Sequence, residues 1–162
     1  MKRLILLTDY KNLFGSKWDA VPYRSGMNLK LLSEEFKKNG FDLKVMNFAD
    51  AANSSEIKTS DIIIYTSSED KNYEYKSFIE DVILYLEFLG TRTIPSFQFL
   101  RANNNKVYME LLRKLIFKGE ENFLNSKVYG VKEEFDVSEA SAPLVFKKSK
   151  GAMSRGVFLG ET

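Results

Sequence analysis

Apolar segments of strand length alternate with amphipathic helical patterns over residues 1–96. Residues 4–7 and 61–67 are nearly continuous apolar runs, and residues 41–48 alternate between apolar and polar side chains. Helical spacing of apolar side chains covers residues 25–39 and 78–89. Parallel strands need crossover connections, and helices then cover the sheet. We therefore predict an α/β fold with a Rossmann-like parallel sheet of about four strands and helices on both faces.

The composition excludes several classes of function. The 162 residues include 44% hydrophobic side chains, with 13 Phe and 8 Tyr, which suffice for a core. Without Cys or His, the chain has no disulfide, no thiolate or imidazole metal ligand and no Ser-His-Asp triad. The net charge of +2 argues against an extended nucleic-acid surface, and no apolar run reaches the ~20 residues that span a bilayer. We expect a cytoplasmic protein that uses phosphate and carboxylate chemistry.

Residues 143–157, PLVFKKSKGAMSRGV, combine a short apolar strand, a basic end and a loop of small residues before a returning strand. Glycines let backbone N–H groups approach an anion, and lysine supplies a positive charge, so the pattern suits a phosphate. An ordinary hairpin with a solvated basic turn accounts for the same pattern. A Walker A loop is excluded because Val157 follows Gly156, and the first strand lacks a G-x-G-x-x-G sequence after it.

This segment resembles the glycine-rich hairpin of the ATP-grasp superfamily, in which a strand ending in lysine precedes a glycine-serine loop. Pro143 and Lys147 match the strand, and Met153 stands where a middle glycine is usual. A second likeness lies upstream, where Asn105 and Lys106 open an amphipathic helix in the manner of the family's other nucleotide lysine. The resemblance implies that the following residues bind the phosphates of ATP: Lys106, Lys147, Gly151, Ser154, Arg155 and Gly156.

The connection to that helix also follows the family's order. Residues 94–96 look like its short strand followed by proline, and residues 99–104 are predicted to form a connecting turn. The resemblance then implies two regions, a pre-ATP-grasp domain over 1–96 and an incomplete ATP-grasp subdomain over 97–162. Helical spacing alone would make residues 107–115 an ordinary core helix.

The resemblance further implies an ATP-dependent carboxylate-amine or related ligase that works through an acyl phosphate. Its Mg²⁺ ligands and adenine pocket are expected in a further subdomain outside this chain, so we expect weak ATP binding and no activity from these residues alone. The partners expected are ATP and a small carboxylate, with no nucleic acid and no membrane. A non-catalytic small-molecule or nucleotide-binding module is the alternative.

Two further expectations concern a substrate loop in the predicted sheet and the contacts of the hairpin. A long loop follows the first strand at the carboxyl edge of the predicted sheet, where open α/β sheets bind ligands. Its Asp9, Tyr10 and Arg24, together with Ser67 after the third strand, are candidates for binding substrate, although a polar loop alone explains them. The hairpin over residues 144–159 is expected to pack on the helix at 107–115 and to pair with a second copy as a homodimer.

Overall fold

The computed structural model describes six stretches of the chain: residues 2–15, 25–67, 73–118, 126–139, 143–150 and 156–160. The chain divides into two compact units, Met1–Leu100 and Arg101–Thr162, called here the sheet unit and the hairpin unit. None of the described helices is both long enough and apolar enough to cross a lipid bilayer.

The sheet unit contains a four-stranded sheet in which every neighbouring pair is parallel. Its strands, in the spatial order β2-β1-β3-β4, are β1 (Lys2–Thr8), β2 (Phe41–Asn47), β3 (Ile62–Tyr65) and β4 (Arg92–Ile94). Its helices are α1 (Leu29–Lys38), α2 (Phe48–Ala52) and α3 (Tyr73–Phe88), and a fourth helix, α4 (Phe97–Asn104), begins in this unit and ends past Leu100. The predicted α/β class with a parallel sheet is confirmed.

The apolar runs of β1 and β3 are buried because they lie at the centre of this sheet. Ile5 and Leu7 share a core with Ile63 of β3 and with Ile83 of α3. Leu6 points to the opposite face of β1 and is also fully buried. Burial of one such side chain stabilises the fold by about 1.5–3 kcal/mol.

Asparagine side chains determine where two elements begin. Asn28 Oδ1 accepts the N–H groups of Lys30 and Leu31, so α1 starts four residues later than the predicted 25–39. Asn47 caps the N–H of Asp50 in the same way and begins α2. The prediction of a strand through residue 48 was therefore one residue too long, and the short helix α2 was not predicted.

Residues 99–104 form most of helix α4, so the predicted connecting turn was wrong. The Glu87 carboxylate accepts the N–H of Phe97 at 2.7 Å and also the hydroxyl of Thr93. A carboxylate from α3 thus caps the first turn of α4. This long-range cap leaves no signal in the local sequence.

The hairpin unit contains α5 (Lys106–Ile116) and an antiparallel pair, β5 (Leu144–Lys147) and β6 (Val157–Gly160). Residue pairs run from Leu144 opposite Gly160 to Lys147 opposite Val157. Two single-turn 3₁₀ helices, Lys132–Glu134 and Val137–Glu139, precede β5. The predicted strand and returning strand within residues 144–159 are confirmed, and residues 151–155 of the predicted loop lie outside the described residues.

Candidate functional site

The carboxyl edge of the sheet unit has a topological switch point between β1 and β3. The chain leaves β1 for β2 on one side and later returns to β3 on the other. Connections that diverge in this way leave a crevice, in which open α/β sheets bind ligands. Asp9 and Tyr10 follow β1 here, and Thr66 and Ser67 follow β3.

Asp9 organises the loop that follows β1. Its Oδ1 atom accepts the N–H of Lys11 at 2.9 Å and that of Leu13 at 2.8 Å. Its own N–H donates to the Leu13 carbonyl at 2.9 Å, and Asn12 adopts a positive φ of 60°. These bonds close a compact loop around a buried carboxylate, an arrangement that Asp favours. Asp9 thereby positions Tyr10, and its predicted contact with substrate stays a prediction.

The far side of this loop is held at two more points. Gly15 donates its N–H to Thr66 Oγ1 at 3.1 Å, which joins the loop to the end of β3. Met27 donates its N–H to the Phe14 carbonyl at 2.7 Å. A Cβ on Gly26 would lie 2.6 Å from that carbonyl oxygen, so the close approach requires glycine.

Three aromatic rings meet at this edge and are called here the Tyr10 cluster: Tyr10, Tyr75 and Phe78. Tyr10 meets Tyr75 edge to face with ring centroids 5.1 Å apart, and Tyr75 stacks on Phe78 at 5.8 Å. Lys11 Nζ lies 4.8 Å from the centroid of Tyr10. Tyr10 is 54% exposed, and Phe78 is 36% exposed. The sequence indicated Tyr10 as a candidate site residue, whereas its contacts with the aromatic rings of α3 were not predicted.

In the hairpin unit, the turn after β5 is bonded to the start of α5. Lys106 is the first residue of α5, and its N–H donates to the Ser149 carbonyl at 2.9 Å. Asn105 Oδ1 accepts the N–H of Tyr108 at 3.1 Å and the Ser149 hydroxyl at 3.0 Å. Two residues before Ser149, Lys147 ends β5. The structure therefore brings the main-chain segments of both predicted ATP lysines together.

Gly156 closes the hairpin on the other side of its loop. It accepts the N–H of Lys148 at 2.9 Å and has a φ of +78°. A Cβ at this position would lie 3.1 Å from two carbons of the Lys148 side chain, and the positive φ itself favours glycine. Four predicted site residues lie outside the described residues: Arg24, Gly151, Ser154 and Arg155.

Glu110 of α5 is an acidic group whose pKa the charge of Lys147 helps to lower. Its Oε2 atom accepts the Ser126 hydroxyl at 2.7 Å and Arg113 Nη2 at 2.6 Å. Burial raises the pKa of Glu110, but the hydrogen bonds from Ser126 and Arg113 and the charges of Arg113 and Lys147 lower it overall. The positive charge of Lys147 therefore helps to keep the Glu110 carboxylate ionised. The pairing with Arg113 follows from helical spacing, whereas Ser126 could not be inferred.

Within the six described stretches, no three acidic side chains are grouped so that they could hold a metal ion. No family model matches the sequence, and no curated protein matches it significantly.

Proposed function

We propose that this chain supplies the first phosphate-binding elements of an ATP-grasp type ligase that joins a carboxylate to an amine. The observation that carries the proposal is the contact of Ser149 with Asn105 and Lys106. It attaches the glycine-rich hairpin to the start of the helix that carries the first candidate lysine. The order of the elements, a parallel sheet followed by α5 and the hairpin, also supports it.

The chemistry assigned to the hairpin unit is electrostatic. In such a ligase a carboxylate oxygen attacks the γ-phosphorus of ATP, and the bond to ADP breaks. An amine then attacks the acyl carbon, loses a proton, and phosphate leaves. Lys106 and Lys147 would bind the phosphate oxygens and offset the negative charge that develops during transfer. Backbone N–H groups beside Gly156 would add donors to the same anion.

Magnesium normally neutralises part of the ATP charge in phosphoryl transfer. The described residues hold no group of three possible metal ligands, and the one or two carboxylates that Mg²⁺ takes beside ATP phosphates are expected outside this chain. The role proposed for this chain is therefore limited to its lysines and hairpin backbone. Contacts of that kind alone correspond to a dissociation constant on the order of millimolar.

A titration with Mg-ATP followed by NMR tests the proposal. We expect the amide signals of Lys106, Ser149 and Gly156 to shift in the wild type. The variants Lys106→Ala and Lys147→Ala should each weaken binding by about five- to tenfold, because a charge-assisted contact is lost. Lys132→Ala is the matched control, since this exposed lysine belongs to the same unit. Unchanged affinity in both test variants would overturn the proposal and favour the non-catalytic module.

A further inference from the structure

We infer that Asn39, at the end of α1, is a site of spontaneous deamidation through a succinimide formed with Gly40. The main-chain nitrogen of Gly40 bonds to Cγ of Asn39 and loses its proton to hydroxide, while the departing amide takes a proton from water and leaves as ammonia. Water then opens the ring at either carbonyl, which gives aspartate or isoaspartate at position 39. The reaction needs no ATP and no metal, so the inference is independent of the proposed function.

The residue that follows Asn39 carries the first part of the inference. Asn39-Gly40 is the only Asn-Gly pair in the sequence. The residue after an asparagine supplies the attacking nitrogen, and glycine has no side chain to hinder it and reaches the backbone angles that ring closure needs. The space around Gly40 is open, because a Cβ built on it would meet no atom within 4 Å. Asn39 is itself exposed, so water reaches the ring.

Two hydrogen bonds hold this end of α1 closed. Asn39 Nδ2 donates to the Glu35 carbonyl at 2.8 Å, and the N–H of Gly40 donates to the Lys37 carbonyl at 3.0 Å. Both groups must be released before the ring can close, so the reaction proceeds through fraying of the last helical turn. Helix α1 contains no fully buried residue, and little packing therefore opposes this opening.

Asn53 provides a matched comparison within the same chain. It ends α2 with a φ of −104° and a ψ of 4°, close to the −91° and 14° of Asn39, and it is also exposed. Its Nδ2 donates to the carbonyl four residues earlier at 2.8 Å, as that of Asn39 does. Two features differ, since Ser54 follows Asn53 and Phe48 anchors α2 in the core. Deamidation of Asn53 is therefore the slower reaction.

Deamidation weakens the end of α1. An aspartate at position 39 has no N–H to donate to the Glu35 carbonyl. Its negative charge also lies at the C-terminus of the helix, where the dipole is already negative. The reaction is therefore a covalent change that makes the last turn of α1 open more readily.

Peptide mapping by mass spectrometry follows the reaction in the full chain, incubated under native conditions in mildly alkaline buffer. The tryptic peptide of residues 39–44 gains the mass that separates O from NH, and its isoaspartate form is resolved from the aspartate form by chromatography. Asn39 should react at least about tenfold faster than Asn53, a ratio that corresponds to a barrier about 1.4 kcal/mol lower. A rate at Asn39 equal to or below that at Asn53 would overturn the inference.

Exchange of the residue after each asparagine tests the succinimide route. Gly40→Ala strains a position with a φ of +81°, which loosens the helix end. The variant should nevertheless slow the reaction of Asn39 by about tenfold, because a side chain then hinders the attacking nitrogen. Ser54→Gly should speed the reaction of Asn53 by a similar factor. A rate at Asn39 that is unchanged or higher in Gly40→Ala, or a rate at Asn53 that does not rise in Ser54→Gly, would contradict the inference.

Discussion

The N–H of Lys106 donates to the carbonyl of Ser149 at 2.9 Å. This bond satisfies one of the N–H groups that the first turn of a helix leaves without an intrahelical acceptor. The hairpin thus takes part in capping α5, together with the Asn105 side chain. A change in that cap is therefore expected to affect both the helix and the turn that follows Lys147.

Asn105→Ala removes a helix cap and a tertiary hydrogen bond at once. The lost bonds are those from Tyr108 N–H and the Ser149 hydroxyl. We expect a loss of about 1–2 kcal/mol in the free energy of unfolding, measured by urea denaturation. Asn28→Ala, which removes only the local cap of α1, should cost about 1 kcal/mol or less. An equal or smaller effect at Asn105 would show that Ser149 contributes nothing.

Two glycines with similar backbone angles differ in their surroundings. Gly26 and Gly40 have φ values of +69° and +81°, but only Gly26 has a backbone atom within 3.0 Å of a built Cβ. Gly40→Ala should cost about 1 kcal/mol through strain alone. Gly26→Ala must also displace Phe14 and should cost about 2–4 kcal/mol. Thermal unfolding of both variants checks this, and equal costs would contradict the Phe14 contact.

The Arg3 and Asp61 ion pair predicts a pH dependence of stability. The hydrogen bond from Arg3, opposed by burial and aided by the N–H of Lys58, lowers the pKa of Asp61. The stabilisation is therefore complete above the unfolded pKa of about 3.9 and is lost as the pH falls through the lower folded value.

Asp61→Asn should lower the free energy of unfolding by about 2–3 kcal/mol at neutral pH, because Arg3 loses its buried partner. The difference from the wild type should shrink as the pH falls below 4, since protonation removes the same charge there. Urea denaturation of both proteins between pH 2 and pH 7 measures this difference in the free energy of unfolding. Asp81→Asn, on the exposed side of α3, serves as the control. A constant difference across that range would contradict the role assigned to the ion pair.

The hairpin is expected to associate with a second copy of the chain. Within the described residues β5 and β6 pair only with each other, and Val145 and Phe158 are 58% and 54% exposed. Such edges favour pairing with another strand. Sedimentation velocity at micromolar concentration should show a dimer that Val145→Lys weakens and the control Val137→Lys does not. A monomeric wild type with an intact hairpin would contradict the homodimer.

The fold could be predicted where burial dominates the sequence pattern. The runs around Leu6 and Ile63 are apolar on both faces because their strands are central in a parallel sheet. Both the strands and the α/β class could therefore be predicted from these runs. Helix α4 was missed because its cap, Glu87, comes from another helix. Phe48 was assigned to a strand because its hydrophobicity suits either element, and the Asn47 cap decided the outcome.

The candidate sites were only partly accessible to sequence reasoning. Lys106 and Lys147 were singled out by a motif, but their connection through Ser149 depends on a tertiary contact. Tyr10 was placed at the right edge by the topology, whereas Tyr75 and Phe78 could not be paired with it before the helix was positioned. Local patterns thus identified residues, and packing determined which of them act together.

A titration of the wild-type chain with adenosine, AMP, ADP and ATP tests the central claim most directly. Because the hairpin unit is proposed to bind phosphates through lysines and backbone donors, affinity should rise with each phosphate and fall with added salt. The shifted amides should include those of Lys106, Ser149 and Gly156. Adenosine binding as tightly as ATP, or shifts confined to the sheet unit, would contradict the account.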